Sequence, residues 1–169
     1  MISIIYPFKN REKQRVLNSI DSILNQNNNN FNIIFIDYGS DEPLNLDINS
    51  SKFTYVYLDV KNQPWNKSKA INHALKYYVD MPYCFIADVD MLFKPNFIDT
   101  ALELTTKHNF FYFQVAYLKQ HLVNEKDFFD TNNFKNISNY EATGMTVFKT
   151  DILKSIQGFD EFFHFYKLL

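Results

Sequence analysis

One cysteine, Cys84, and three glycines are all that the 169 residues contain of either type. A lone thiol excludes a disulfide within the chain and leaves sulfur silent on compartment and metal chemistry; inside the apolar run YCFIA it reads as core. Such scarce glycines mark constrained backbone at Gly39, Gly144 and Gly158, with a helix end the expectation for Gly158. Lys and Arg form no run and the formal net charge is −2, so the electrostatic footprint of a nucleic-acid or anionic-membrane binder is missing. No stretch approaches the roughly 18 apolar residues of a membrane span. The apolar part of the opening MISIIYPFKN is too short for a secretion signal. A cytoplasmic protein is expected, peripheral to a membrane only through partners.

What is present suffices for one core. At 46% hydrophobic and 21% charged, the chain reads as a single globular unit over residues 1–169. Phe and Tyr are abundant, and the run QNNNNF at 26 to 31 reads as a polar loop, because Asn side chains compete for backbone hydrogen bonds.

Along the chain, strand and helix patterns alternate. ISIIY at 2 to 6 is a β-branched run that Pro7 is expected to stop, and Val16, Leu17, Ile20, Ile23 and Leu24 then fall on one helical face. FNIIFID, a GSDEP turn and FTYVYLDV at 53 to 60 come next. Ala70, Ile71, Ala74, Leu75 and Tyr78 keep helical spacing behind Asn66 or Ser68 as cap. CFIAD is the fourth strand, and Pro95 suits the first turn of the next helix. FFYFQVAYL at 110 to 118 reads as one strand, 119 to 140 as a long site-shaping loop, and GMTVFKT with TDILKSIQGF as a strand and short helix. The alternation predicts an α/β fold: an open, mostly parallel sheet with helices on both faces.

In such sheets ligands bind beyond the carboxyl ends of the strands. Asp37, Asp59, Asp88 and Asp90 all fall at or just past strand ends. Asp88 and Asp90, at i and i+2, present hard oxygen ligands suited to Mg²⁺ or Mn²⁺, and a cation between them would relieve their repulsion. Aspartate at a strand end also serves as a turn or cap residue, so the pair alone does not decide.

Taken together, the blocks ISIIYPFKNR, IIFIDYGSDE, WNKSKAINHAL, FIADVDML and ATGMTVFKTDILKSIQGFDE are more specific. In this order they resemble a family 2-like glycosyltransferase of the GT-A fold, and near the DxD the chondroitin-polymerase and β1,4-galactosyltransferase-type domains. The resemblance implies a nucleotide-diphosphate sugar donor with UDP as the expected nucleotide, a saccharide acceptor, and transfer with inversion. Pro7 and the stretch from Lys9 to Arg11 would line the nucleotide pocket, and Asp37 would accept from uracil or ribose. Lys69 and Asn72 would face the nucleotide, although a solvated helix charge and a plain polar contact fit them as well. Asp88 would meet ribose or metal and Asp90 the metal, Mn²⁺ or Mg²⁺. Thr143 and Gly144 would lie near the donor sugar.

Two departures qualify the resemblance. Tyr38 stands where the family turn carries a second acidic residue, and the chain stops after GFDEFFHFYKLL, where resembling enzymes continue into the segment supplying the general base. The expectation is therefore a C-terminally truncated domain with uncertain turnover. Glu141 is the one candidate substitute base, against the alternative of a surface loop residue, and His164 is a metal-ligand candidate against the alternative of simple packing. A haloacid-dehalogenase-type phosphatase also uses Asp-x-Asp after a strand, but Met91 and Leu92 stand where those enzymes carry Thr or Gly and Thr. A donor-binding or partner-binding module without turnover is the remaining alternative, with self-association through the aromatic C-terminal region.

Overall fold

Every residue of Ile2–Phe8 is buried, which requires apolar cover on both sides of the strand, and the sequence supplies two apolar sets in alternation. Ile2, Ile4, Tyr6 and Phe8 face one core. Ile5 faces the other.

The computed structural model of the chain describes residues 1–119, 128–138 and 144–162. Ile2–Phe8 is β1, Lys13–Leu24 α1, Phe31–Tyr38 β2, Phe53–Leu58 β3, Lys67–Tyr77 α2, Tyr83–Ala87 β4 and Phe97–Thr105 α3. Phe110–Tyr112 is β5, Val115–Leu118 β6, Phe134–Ser138 β7, Met145–Lys149 β8 and Thr150–Ser155 α4. Six strands form the main sheet in the order β3-β2-β1-β4-β8-β5, and β6 with β7 makes a separate pair. Strands β1 to β4 pair in parallel, while β8 runs antiparallel to both β4 and β5. The α/β fold with a mostly parallel sheet is thus the observed one.

Helices cover both faces. Val16, Ile20 and Ile23 of α1 and Ile98 and Ala101 of α3 close the first core. Ala70, Ile71, Ala74 and Leu75 of α2 and Leu153 of α4 close the second, where Cys84 is also buried. Both sets recur at three- and four-residue steps, so the period seen in sequence is the buried stripe of each helix. Phe85 anchors the first core among Phe93, Phe97 and Phe113, at ring separations of 5.2 to 6.1 Å. No helix among the described residues is long and apolar enough to cross a membrane.

Four local expectations are corrected. Pro7 does not stop β1, which continues to Phe8: the β1–β4 ladder ends at Ile5, so the missing N–H falls where β1 keeps only β2 as a paired neighbour. The run 110 to 118 is two strands in two sheets. It breaks at Phe113, whose ring turns into the Phe85–Phe97 cluster while its N–H bonds Met145 O at 3.0 Å. Within the expected loop at 119 to 140, the short 3₁₀ turn Thr131–Asn133 leads into β7, a pairing that local polarity hides. After α4 the left-handed residue is Gln157, at φ 65°, and not Gly158 alone. Gln157 N–H bonds Lys154 O and Gly158 N–H bonds Leu153 O, a Schellman ending with Gly158 one place further on.

Candidate functional site

The parallel strands β1, β2 and β4 deliver their following loops to the same end of the sheet. There a cleft of about 540 Å³ opens, lined on one wall by Pro7, Lys9, Asn10 and Arg11 from the end of β1. Asp88, Val89 and Asp90, just past β4, form the other wall, and Trp65 and Lys67 close it from the start of α2. Five of the residues singled out in sequence (Pro7, Lys9, Arg11, Asp88 and Asp90) therefore share one cleft.

Asp88 is fixed from three directions. Its N–H donates to Gly144 O at 3.1 Å, which ties the end of β4 to the start of β8. A β-carbon added at Gly144 would overlap the Asp88 carboxylate, so glycine here makes room for that carboxylate. Lys67 Nζ donates to Oδ1 at 2.5 Å as an ion pair, with the lysine side chain 24% and the aspartate side chain 43% exposed. Asp90 is exposed and has no hydrogen bond or ion pair among the described residues.

Lys67 owes its place to the helix start. Asn66 is the cap of α2: its side chain accepts from Lys69 N–H at 2.9 Å and donates to Glu161 O at 2.7 Å. Such a cap contributes about 1 kcal/mol. It sets Lys67 as the first helical residue, facing β4 across the cleft.

The opposite lip is laced by loop-to-loop bonds. Asn10, in the left-handed region at φ 51°, donates from its backbone to Ser40 Oγ at 3.0 Å and exchanges side-chain and backbone bonds with Asp41. Lys9 Nζ donates to Gln63 O at 3.0 Å. Tyr38 packs edge-on against Trp65 and donates to Gln63 Oε1 at 3.2 Å; burial raises its phenol above the ordinary range. Gly39, at φ 64°, lies flat on the Val60–Lys61 backbone, 2.6 Å separating its would-be β-carbon from Val60 C.

Three sequence candidates sit elsewhere. Asp37 is wholly buried and its carboxylate accepts from Ser40 N–H, Leu44 N–H and Tyr55 Oη–H, at 2.9, 3.3 and 2.9 Å, so it organises the loop behind the lip. Tyr55 Oη in turn accepts from Leu44 N–H. Asn72 faces away from the cleft, donating to Phe159 O and Glu161 Oε1 and accepting from Phe159 N–H. A β-carbon at Gly158 would overlap its amide oxygen. It belongs to a second recess of about 460 Å³ beside α4, lined also by Lys76, Lys154 and Glu161. Lys69 lines neither recess. Glu141, Thr143 and His164 lie outside the described residues.

Trp65 and Lys67 were not singled out in sequence, and Asn10 only as part of the loop from Lys9 to Arg11. The signal for Lys67 was its place directly after the Asn66 cap, which fixes a side chain at the mouth of a strand-end cleft. Asn10 was marked only by the loop it sits in, and its bonds cross to the loop after β2.

Among the described residues no three carboxylate, histidine or cysteine groups converge on one point. Asp88 and Asp90 alone would leave most of a cation's coordination to water and ligand. That fits Mg²⁺ and Mn²⁺ held against phosphate oxygens.

Residues 3–156 match the family model "Glycosyl transferase family 2". No curated protein matches the sequence. Among solved structures, S. aureus TarS 1–349 superposes at a TM-score of 0.69 with 16% identity, covering 95% of this chain and 50% of that one. The same protein in complex with UDP-GlcNAc gives 0.65 at 15% identity, covering 92% and 47%. Its complex with UDP gives 0.66 at 13%, covering 95% and 50%. The chain thus spans about half the length of these structures, and the likeness is one of fold.

Proposed function

The chain belongs to glycosyl transferase family 2, and on that footing we propose that the strand-end cleft binds a nucleotide-diphosphate sugar, a UDP-sugar, and that the sugar passes with inversion to a saccharide acceptor. The observation that carries this reading is the meeting of Asp88 and Asp90 with Lys9, Arg11 and Lys67 in one cleft. Two carboxylates suit a divalent cation, and three cationic side chains suit the phosphates it would bridge. The TarS structures with UDP and UDP-GlcNAc support the choice of uridine.

Each residue then has a physical task. Arg11, which has no ion pair among the described residues, can fork onto phosphate oxygens. Trp65, 39% exposed and held edge-on by Tyr38, offers a ring face to the base. Asp37 acts at a distance, holding Ser40 and Leu44 so that Asn10 and Lys9 keep the lip in place. Asp90, with Asp88, would hold Mn²⁺ or Mg²⁺. When bound, that cation stabilises the negative charge that accumulates on the departing diphosphate. Lys9, Arg11 and Lys67 act on the same charge from the protein side, in a cleft where fixed cations cost no reorganisation during reaction. Thr143 beside Gly144 is assigned to the sugar side of the cleft, and Glu141 is the candidate to take the proton of the acceptor hydroxyl.

Calorimetric titration of UDP with and without Mn²⁺, on wild type and Asp90→Asn, tests this. Binding strengthened by Mn²⁺ in the wild type, with that gain lost in Asp90→Asn, is the expected result. A wild-type protein that binds UDP under neither condition would overturn the reading.

A further inference from the structure

We infer that the nucleotide diphosphate enters first and the metal second, because Lys67 occupies Asp88 until a phosphate draws it away. This rests on the donor reading above and adds the role of Lys67 to it.

Among the described residues the charged side chains lining the cleft are three cations, Lys9, Arg11 and Lys67, and two carboxylates, Asp88 and Asp90. That described lining is net positive, so it disfavours a free divalent cation and attracts a diphosphate. Geometry sharpens the point. The Asp88 carboxylate is pressed between the Gly144 backbone and Lys67, with its Oδ1 already accepting from Nζ at 2.5 Å. A cation arriving alone must displace that ammonium, leaving Lys67 unpaired, and gains only Asp90 besides. A diphosphate reverses the balance: it brings at least two negative charges and gives Lys67 a new acceptor. Asp88 is then released as Asp90's partner for the metal.

Lys67 also has freedom to make the exchange. Its side chain is partly exposed, and Asp88 is the one partner it has among the described residues. The helix start that carries it is held independently by Asn66, so the ammonium can swing without unravelling α2.

Two titrations on Lys67→Met test the order: Mn²⁺ alone, followed by the electron-spin resonance signal of free Mn²⁺, and UDP alone in EDTA, followed by calorimetry. Lys67→Met is expected to bind Mn²⁺ alone about tenfold more tightly than wild type and UDP in EDTA about tenfold more weakly, changes of opposite sign that a structural role would not produce. Lys67→Arg should retain wild-type behaviour in both. Lys67→Gln repeats the pair of titrations if circular dichroism shows that the Met variant is not folded. Mn²⁺ affinity unchanged or weakened by loss of the lysine overturns the inference, while Mn²⁺-strengthened UDP binding in wild type would leave the donor reading standing. UDP bound by no form with or without Mn²⁺ overturns the donor reading and the order with it.

Discussion

Adding one methyl group at Gly144 and the same methyl at Gly39 should damage different properties of the molecule. At Gly39 the backbone is left-handed and the new β-carbon meets main chain, 2.6 Å from Val60 C and 2.8 Å from Lys61 N. A left-handed alanine costs about 1–2 kcal/mol, and pushing a packed backbone aside costs about 1–3 kcal/mol more. For a domain of this size each kcal/mol lowers Tm by about 2–4 °C, so Gly39→Ala should lose on the order of 10 °C. At Gly144 the φ is not left-handed, and the methyl meets the Asp88 carboxylate, the mobile end of a side chain that is 43% exposed. Asp88 can rotate away at the expense of its ion pair with Lys67, a loss of about 0–1 kcal/mol for a partly exposed pair. Gly144→Ala should therefore melt within about 4 °C of wild type. Its Mn²⁺-dependent UDP affinity should nevertheless fall about tenfold or more, because the carboxylate has left the cleft. Thermal denaturation and calorimetry on the two variants decide the matter. A Gly144→Ala protein that melts as early as Gly39→Ala, or that keeps wild-type metal-dependent binding, would refute the assignment of Gly144 as the wall behind Asp88.

Asn72→Ala removes both the donor to Phe159 O and the acceptor from Phe159 N–H, and should cost about 1–3 kcal/mol in urea unfolding while leaving UDP affinity within twofold of wild type. Tyr55→Phe deletes one donor to the buried Asp37 carboxylate and one acceptor for Leu44 N–H. It should lower stability by about 1–3 kcal/mol, and it should weaken UDP binding only through the lip, which a comparison of unfolding with calorimetry separates. Burial pushes the Cys84 thiol up to about 11, so the native protein should react with a thiol reagent at pH 8 only on the unfolding timescale and at full speed in denaturant; rapid native labelling would show that the second core is open.

Periodicity carried the architecture. The strand and helix alternation up to α3 was readable because β1, β2 and β4 are buried on both faces and the helices bury an apolar stripe, so apolar spacing and burial coincide. Beyond α3 that coincidence fails. Phe110 and Tyr112 are exposed on β5, and β7 has the polar composition of a loop, so pattern alone could not divide 110 to 118 or find the β6–β7 pair. The carboxylate pair was legible because strand-end position is a local property. Lys67 and Asn10 were less so: their meaning lies in partners at Asp88, Ser40 and Asp41, tens of residues distant in sequence. Asn72 shows the converse, since its helical position suited a ligand contact and only the fold reveals that its amide is spent on Phe159.

Because β8 runs against β4, the Asp88 wall of the cleft and the Gly144 backbone behind it are encoded far apart, one ending at residue 90 and the other beginning at residue 144. The stretch between them supplies α3, β5, β6 and β7, and α3 with Phe93 also closes the first core. Such a layout keeps the lining found among the described residues within positions 7–90 while the backing of Asp88 comes from a later strand, so a change at residue 144 can reset that carboxylate without touching the cationic residues.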